Sequence, residues 1–264
     1  MDFYVDEEVQ NEKEAYAFKI YIRLNAIKKT TFRKVSFLHC VFDGCYFNSA
    51  VFDSCDFRGC RFIGCNFHQT KFSGCNFEYA VFERCMIDDD ILDSEAPRKE
   101  NLKMRFARSL RMNFQQVGDA RAVNKAISLE LEATSKYLKK SWSSRETYYR
   151  DKYPGWKKVS QLGKWVKFRI LDAIWGNGES VLKLLRSILV VHLVIAGYDT
   201  YMFGDVWSLK GYAASFVASP GVFFGIASPH PVAYPVWFSS AIAATRLIGF
   251  AFLTAILVKR FGRR

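Results

Sequence analysis

The residues of this sequence best suited to chemistry are seven cysteines: Cys40, Cys45, Cys55, Cys60, Cys65, Cys75 and Cys85. Thiols at this density could form disulfides, bind zinc or act as redox groups. Their intervals argue against metal, because zinc sites set ligands in CxxC-type pairs with partner cysteines or histidines, whereas every interval here is a multiple of five. Only four histidines are present, His39, His68, His192 and His230, and they are scattered. The sequence holds no phosphate-binding glycine loop, paired metal-ligand motif or nucleophile signature. No enzyme activity, cofactor or metal is therefore expected.

What places the cysteines is a period. Phenylalanine stands at 32, 37, 42, 47, 52, 57, 62, 67, 72, 77 and 82, with Ile87 and Leu92 continuing the series. Each cysteine lies two residues before one of these positions, and the same sites elsewhere hold Ala50, Ala80, Thr30, Thr70 and Val35. The position asks for a small side chain, and cysteine is a small, commonly buried hydrophobe. A period of five fits neither the 3,4 spacing of a helix nor the alternation of a strand. It marks a repeat architecture in which stacked units share one core.

This pattern resembles the pentapeptide-repeat family over residues 30–95. The resemblance implies a right-handed quadrilateral β-helix, with four pentapeptides per coil and both recurring positions pointing inward. Residues twenty apart then stack into ladders. The expected core includes Phe42, Phe47, Phe52, Phe57, Phe62, Phe67, Phe72 and Phe77, with Cys45, Cys65 and Cys85 above one another at a strand spacing of ~4.8 Å. That separation does not itself exclude a disulfide, so compartment decides, and reduced thiols are expected in the cytosol.

The net charge of +12 is unevenly spread. Residues 1–95 carry 11 Lys+Arg against 16 Asp+Glu, net −5, and residues 96–264 carry 27 against 10, net +17. No signal sequence stands at the N-terminus. Residues 1–29 read as a cap or first irregular coil, with Phe18, Ile20, Ile22, Leu24 and Ile27 apolar. After Leu92 the period ends, and residues 96–179 read as a cytoplasmic helical linker. Leu102, Phe106, Leu110 and Phe114 form a stripe on a helix starting near Pro97. Gly118 and Asp119 break it before a second helix over 120–142. The pair is expected to cap the open end of the β-helix. No nucleic-acid module is recognisable, and no nucleic-acid partner is expected.

Two stretches, 180–203 and 236–258, have the length and apolar character to cross a bilayer, which makes the lipid bilayer the first expected partner. Lys157, Lys158, Lys164, Lys167 and Arg169 precede the first; Lys259, Arg260, Arg263 and Arg264 follow the second; Lys210 alone lies between them. Basic flanks are cytoplasmic, so both termini are expected inside, at the inner membrane of a bacterial cell. The connection 204–235 offers about three helical turns to Ala218 and then breaks into Pro220, Gly221, Gly225, Pro229, Pro231 and Pro235. It reads as a re-entrant loop, which is tolerated at membrane depth only inside protein or beside water.

That order of span, half-helix, extended segment and span resembles the two-transmembrane pore module of the potassium-channel superfamily. With RMNFQQVGDARAVNKA and WGNGES it resembles a bacterial membrane family joining pentapeptide repeats to that module. The resemblance implies an oligomeric, tetrameric ion channel. The filter-equivalent residues Ser219, Gly221, Val222, Phe223, Phe224 and Gly225 depart from TVGYG, because Phe223 stands where a glycine permits backbone that phenylalanine largely forbids. TVGYG-type potassium selectivity is therefore not expected.

An arginine inside a span normally faces the protein interior. Three readings compete for Arg246: pairing with Asp199 or Asp205, lining a pore, or snorkelling to an interface. Gly249 reads as a bend or close-packing site, and His192 as a hydrogen-bonded packing residue or a proton sensor. Two functions remain in play. One is a pore with a cytoplasmic sensing or assembly domain that answers to an unknown protein or ligand. The other is a membrane-anchored scaffold without conduction. A third reading, DNA mimicry by the repeats, is weak, since 10 acidic against 6 basic residues over 30–95 poorly imitate a duplex.

Overall fold

The structure, a computed structural model, describes residues 4–5, 9–10, 20–22, 25–26, 30–226 and 234–261. Most of the cap expected over 1–29, including Phe18, Leu24 and Ile27, lies outside the described residues, as do His230, Pro229, Pro231, Arg263 and Arg264. Two compact units divide between Leu162 and Gly163.

Among the described residues the first unit opens with twelve short strands. These are β1 Tyr4–Val5, β2 Val9–Gln10, β3 Ile20–Ile22, β4 Asn25–Ala26, β5 Thr31–Arg33, β6 Val41–Asp43, β7 Val51–Asp53, β8 Arg61–Ile63, β9 Asn66–Phe67, β10 Lys71–Ser73, β11 Val81–Glu83 and β12 Met86–Ile87. All pair in parallel. From β5 on, each residue faces the one twenty ahead, as in Phe32–Phe52–Phe72, Phe42–Phe62–Phe82 and Phe67–Ile87. Bridges at Ser36, Asp56 and Asn76 supply the fourth face. The result is a β-solenoid of about three turns.

Inside it the phenylalanines form stacked ladders along the axis. Ring centroids lie 4.8 Å apart for Phe32–Phe52 and 5.0 Å for Phe42–Phe62. Neighbours around a coil meet edge-on, as at Phe52–Phe57, 5.3 Å. Both geometries suit the ring quadrupole. The corners bend through one left-handed residue in every pentapeptide from 34 to 84, and only Gly44, Gly59, Gly64 and Gly74 among them are glycines. At Gly59 the missing Cβ also leaves room for the His39 ring, whose Nδ1 would stand 2.3 Å from it.

The first coil departs from the register. Tyr21, not Ile22, faces Phe42 and stacks on it at 5.0 Å, while Ile20 is 70% exposed. The offset here is 21 rather than the 20 of the later coils.

Helices α1 Ile91–Ser94, α2 Glu100–Val117, α3 Ala120–Ser143 and α4 Thr147–Lys152 complete this unit, and α5 Trp156–Trp175 runs across the division. Gly118 ends α2 in the left-handed region (φ 81°), and the Asp119 carboxylate caps α3 by accepting from Ala122 N. The stripe Leu102, Phe106, Leu110 and Phe114 is buried, and its last three members join the solenoid core.

In the second unit the 3₁₀ turn Gly176–Gly178 leads into α6 Val181–Phe203, followed by α7 Leu209–Phe224 and α8 Val236–Phe261. Ser180 and Ser208 cap α6 and α7 through Lys183 N and Gly211 N. The turn residues Gly176, Asn177 and Gly178 all have positive φ. Ser187 Oγ donates to Ile174 O at 2.8 Å, Trp175 stacks on Phe252 at 4.1 Å, and Lys259 pairs with Glu179. These contacts bring the end of α5, the start of α6 and the end of α8 together.

Candidate functional site

All seven cysteines are buried, and none is in a disulfide. Their position has a property that size alone did not reveal. The side chain donates to the centre-residue carbonyl 23 positions earlier: Cys60 Sγ to Phe37 O at 2.8 Å, Cys55 to Phe32 O at 3.3 Å, Cys75 to Phe52 O at 3.3 Å. Thr70 Oγ1 does the same to Phe47 O at 2.7 Å. The site thus favours a small residue carrying a donor. Burial, with the neighbouring Cys40 sulfur adding to it, holds the Cys60 thiol well above the ordinary thiol range. Such a thiol is inert.

The C-terminal end of the solenoid is closed by side chains. In the coils Gly44 N donates to Ile63 O and Gly64 N to Glu83 O. Arg84 N, next in that series, donates to Gln116 Oε1 at 2.9 Å. Phe82 N donates to Ser109 Oγ at 3.0 Å, and Cys85 N to Asn113 Oδ1 at 2.6 Å. Asn113 Nδ2 in turn donates to Cys85 O at 2.8 Å, replacing the strand N–H that the Cys45 and Cys65 carbonyls receive from Asn66 and Met86. On another face the Glu95 carboxylate accepts from Gly74 N and Cys75 N. Ser109, Asn113 and Gln116 sit at i, i+4 and i+7, on one face of α2.

In the second unit the expected filter is not extended. Helix α7 continues past Ala218 through Pro220 to Phe224, so Ser219, Gly221, Val222, Phe223 and Phe224 are helical. The physical reason is Ser219, buried at 1% exposure, whose Oγ donates to Phe216 O at 2.7 Å. That carbonyl is the one Pro220, lacking an N–H, leaves unpaired. The helix stops at Gly225 (φ 70°), where Gly225 N returns to Val222 O and Ile226 N to Gly221 O in a Schellman arrangement. Phe223 turns inward, packing with Ile195, Phe238 and Ile242.

Arg246 does not pair with Asp199 or Asp205. Its Nη1 donates to Phe224 O at 2.6 Å, at the C-terminal end of α7, where a cation is favoured. A Cβ on Gly225 would come within 2.9 Å of that Nη1, so this glycine also makes room for the guanidinium. Asp205 accepts from Trp207 N instead. Asp199, 4% exposed on α6, receives Tyr234 OH at 2.5 Å and Ser215 Oγ at 2.7 Å, and Thr200 Oγ1 donates to Ser215 Oγ at 3.1 Å. His192 Nδ1 lies 3.1 Å from Ser219 Oγ, and its ring meets Phe223 edge-on. If the Ser219 proton stays on Phe216 O, this contact requires Nδ1 to carry the donating hydrogen. Gly249 lines an apolar cavity of about 450 Å³ together with Leu184, Val191, Phe223 and Phe252, and a Cβ there would meet nothing within 4 Å.

The proposed residues thus fall into three groups: Arg246–Phe224–Gly225, His192–Ser219–Phe223, and Asp199 with hydroxyls. Ser215, Thr200 and Tyr234 were not anticipated. The legible signal was Ser215 and Ser219, one turn apart in a stretch without other polar side chains from Ala213 to Phe224.

Residues 26–90 match the family model of the pentapeptide repeat region. Among solved structures the chain is similar to a pentapeptide repeat protein of the Arabidopsis thaliana thylakoid lumen, at 12% identity over 46% of this chain and 88% of that one, TM-score 0.23. It is also similar to a plasmid-mediated fluoroquinolone resistance protein, at 18% identity over 32% and 64%, TM-score 0.15. No curated protein matches the chain. The pentapeptide-repeat region so defined covers the ladder of stacked phenylalanines and stops short of α1.

Proposed function

We propose that the chain is one subunit of an oligomeric, tetrameric membrane pore whose pentapeptide-repeat and helical regions form a cytoplasmic sensing or assembly domain. The observation that carries this reading is the pair α6 and α8. Their apolar windows over Val181–Phe203 and Val236–Lys259 have mean hydropathies of 1.8 and 2.1, yet only 17% and 11% of them are buried. A core helix of a water-soluble fold hides such surface; a membrane helix presents it to lipid. The basic residues flanking both helices favour cytoplasmic termini at the inner membrane of a bacterial cell. Helix α7, apolar and too short to span, lies against α6 as a half-span element. The Phe224 carbonyl at its end is occupied by a guanidinium, which opposes a potassium-type filter and favours anions.

A second reading, a membrane-anchored scaffold without conduction, is favoured by one specific observation: the filter-equivalent stretch is closed helix. The test is ion flux and bilayer current from purified protein in liposomes under asymmetric salt, beside Arg246→Ala and Gly225→Ala. Current with a reversal potential that moves on mutation supports the pore. Silence in all three, also after removal of the cytoplasmic regions, supports the scaffold.

A further inference from the structure

Helix α5 carries a surface that none of the roles above uses. Trp156, Val159, Val166 and Ile170 are 87%, 56%, 40% and 53% exposed. With Gly163 they recur at spacings of 3, 4, 3 and 4, which aligns them on one stripe of a 3.6-residue helix. The opposite face behaves differently, since Gln161 is buried and Trp165 and Phe168 are partly covered. Lys167 and Arg169 border the stripe, one on each side, and Lys164 and Lys158 stand further round the helix behind them. The helix has one acid, Asp172, and that is held by Lys183 at 2.7 Å. An exposed apolar stripe between two basic borders is the pattern of a helix lying in a membrane interface, apolar face in the acyl boundary and cations at the headgroups.

We propose that α5 is an interfacial helix that docks on an anionic phospholipid surface through Trp156, Val159, Val166 and Ile170, with Lys158, Lys164, Lys167 and Arg169 on the lipid phosphates. Charge complementarity selects an anionic surface over a protein partner. Continuity supports it, because α5 leads through the Gly176–Gly178 turn directly into α6. The inference rests on the membrane reading of α6 and α8. It adds that the cytoplasmic regions are joined to the membrane by a helix whose seat depends on lipid charge.

The test uses the full-length chain in vesicles of mixed phosphatidylglycerol and phosphatidylcholine. Single spin labels are placed at Val159→Cys, Val166→Cys and Ile170→Cys, at Lys157→Cys on the other side of α5, and at Leu193→Cys on the exposed face of α6. The native thiols, being buried, are shielded from the label. Stripe labels are expected to collide with lipid-dissolved oxygen and to be protected from a water-soluble nickel chelate, and the Lys157 label to show the reverse. Changing Lys158, Lys164, Lys167 and Arg169 together to Glu is expected to invert the stripe accessibilities while the Leu193 label stays in lipid. Stripe labels open to the chelate, or shielded from both reagents by a second copy or another segment, would overturn the proposal, as would indifference to the charge reversal. A Leu193 label open to the chelate would overturn the membrane reading itself.

Discussion

Asn113 does with one amide what a further coil would do with a backbone: it accepts from Cys85 N and donates to Cys85 O while fully buried. Removing it leaves a buried donor and a buried acceptor unpaired, at about 1–3 kcal/mol each. Asn113→Ala is therefore expected to destabilise the repeat unit by about 2–5 kcal/mol in denaturant unfolding. Glu95 makes the matching closure on another face, and there the sign of a pH effect follows. Burial raises its carboxyl above the ordinary glutamate range, against the two backbone N–H groups that lower it. A raised folded value means the folded state binds the proton more tightly. The associated stability is present below the unfolded glutamate value and lost as pH rises through the folded one. The stability difference between wild type and Glu95→Gln is expected to shift toward Glu95→Gln over that window; a difference flat with pH would refute the assignment.

At the scale of elements, α7 shows how a proline is carried inside a helix: Ser219 Oγ takes the carbonyl that Pro220 abandons. The two residues should be coupled. Ser219→Ala is expected to cost about 1–2 kcal/mol, and clearly less in a Pro220→Ala background, where an N–H is restored to Phe216 O. A double-mutant cycle by thermal unfolding in detergent measures the coupling, and additive costs would count against it. The same pair explains a limit of legibility. Pro220 and Gly221 read from sequence as the end of a helix, and only a neighbouring hydroxyl reverses that. By contrast the solenoid was legible to the residue, because a period of five with alternating large and small inward positions admits few alternatives. Its corners were not, since seven of the eleven left-handed positions hold side chains other than glycine and carry no local mark. Nor was the shift at Tyr21, where the period had not begun. In the second unit Asp199, His192, Ser219 and Arg246 stood out from sequence, whereas Ser215, Thr200, Tyr234 and the pairings among all of these did not. Asp199 and Arg246 invite pairing on charge alone, yet the first is satisfied by hydroxyls and the second by a carbonyl that exists as an acceptor only because α7 ends there.

For the whole molecule, charge selection depends on where a positive charge sits in an assembly. If four copies surround one axis with α7 pointing inward, four Arg246 guanidinium groups stand at four α7 C-termini, each holding a Phe224 carbonyl. Those carbonyls are then unavailable to replace the hydration shell of a cation, and the ring of positive charge lowers the barrier for anions. Wild-type liposome current is therefore expected to reverse near the chloride potential under asymmetric potassium chloride. Arg246→Ala removes the ring and frees the carbonyl oxygen, which should move the reversal potential toward the potassium value; Arg246→Lys, a point charge on a shorter reach, should retain the anion preference. Gly225→Ala presses on the same guanidinium and strains the left-handed cap, so it should shift the potential in the same direction as Arg246→Ala. A reversal potential that is unmoved by all three substitutions would place the conduction path away from α7, and with it would fall the role of Arg246 in selecting charge.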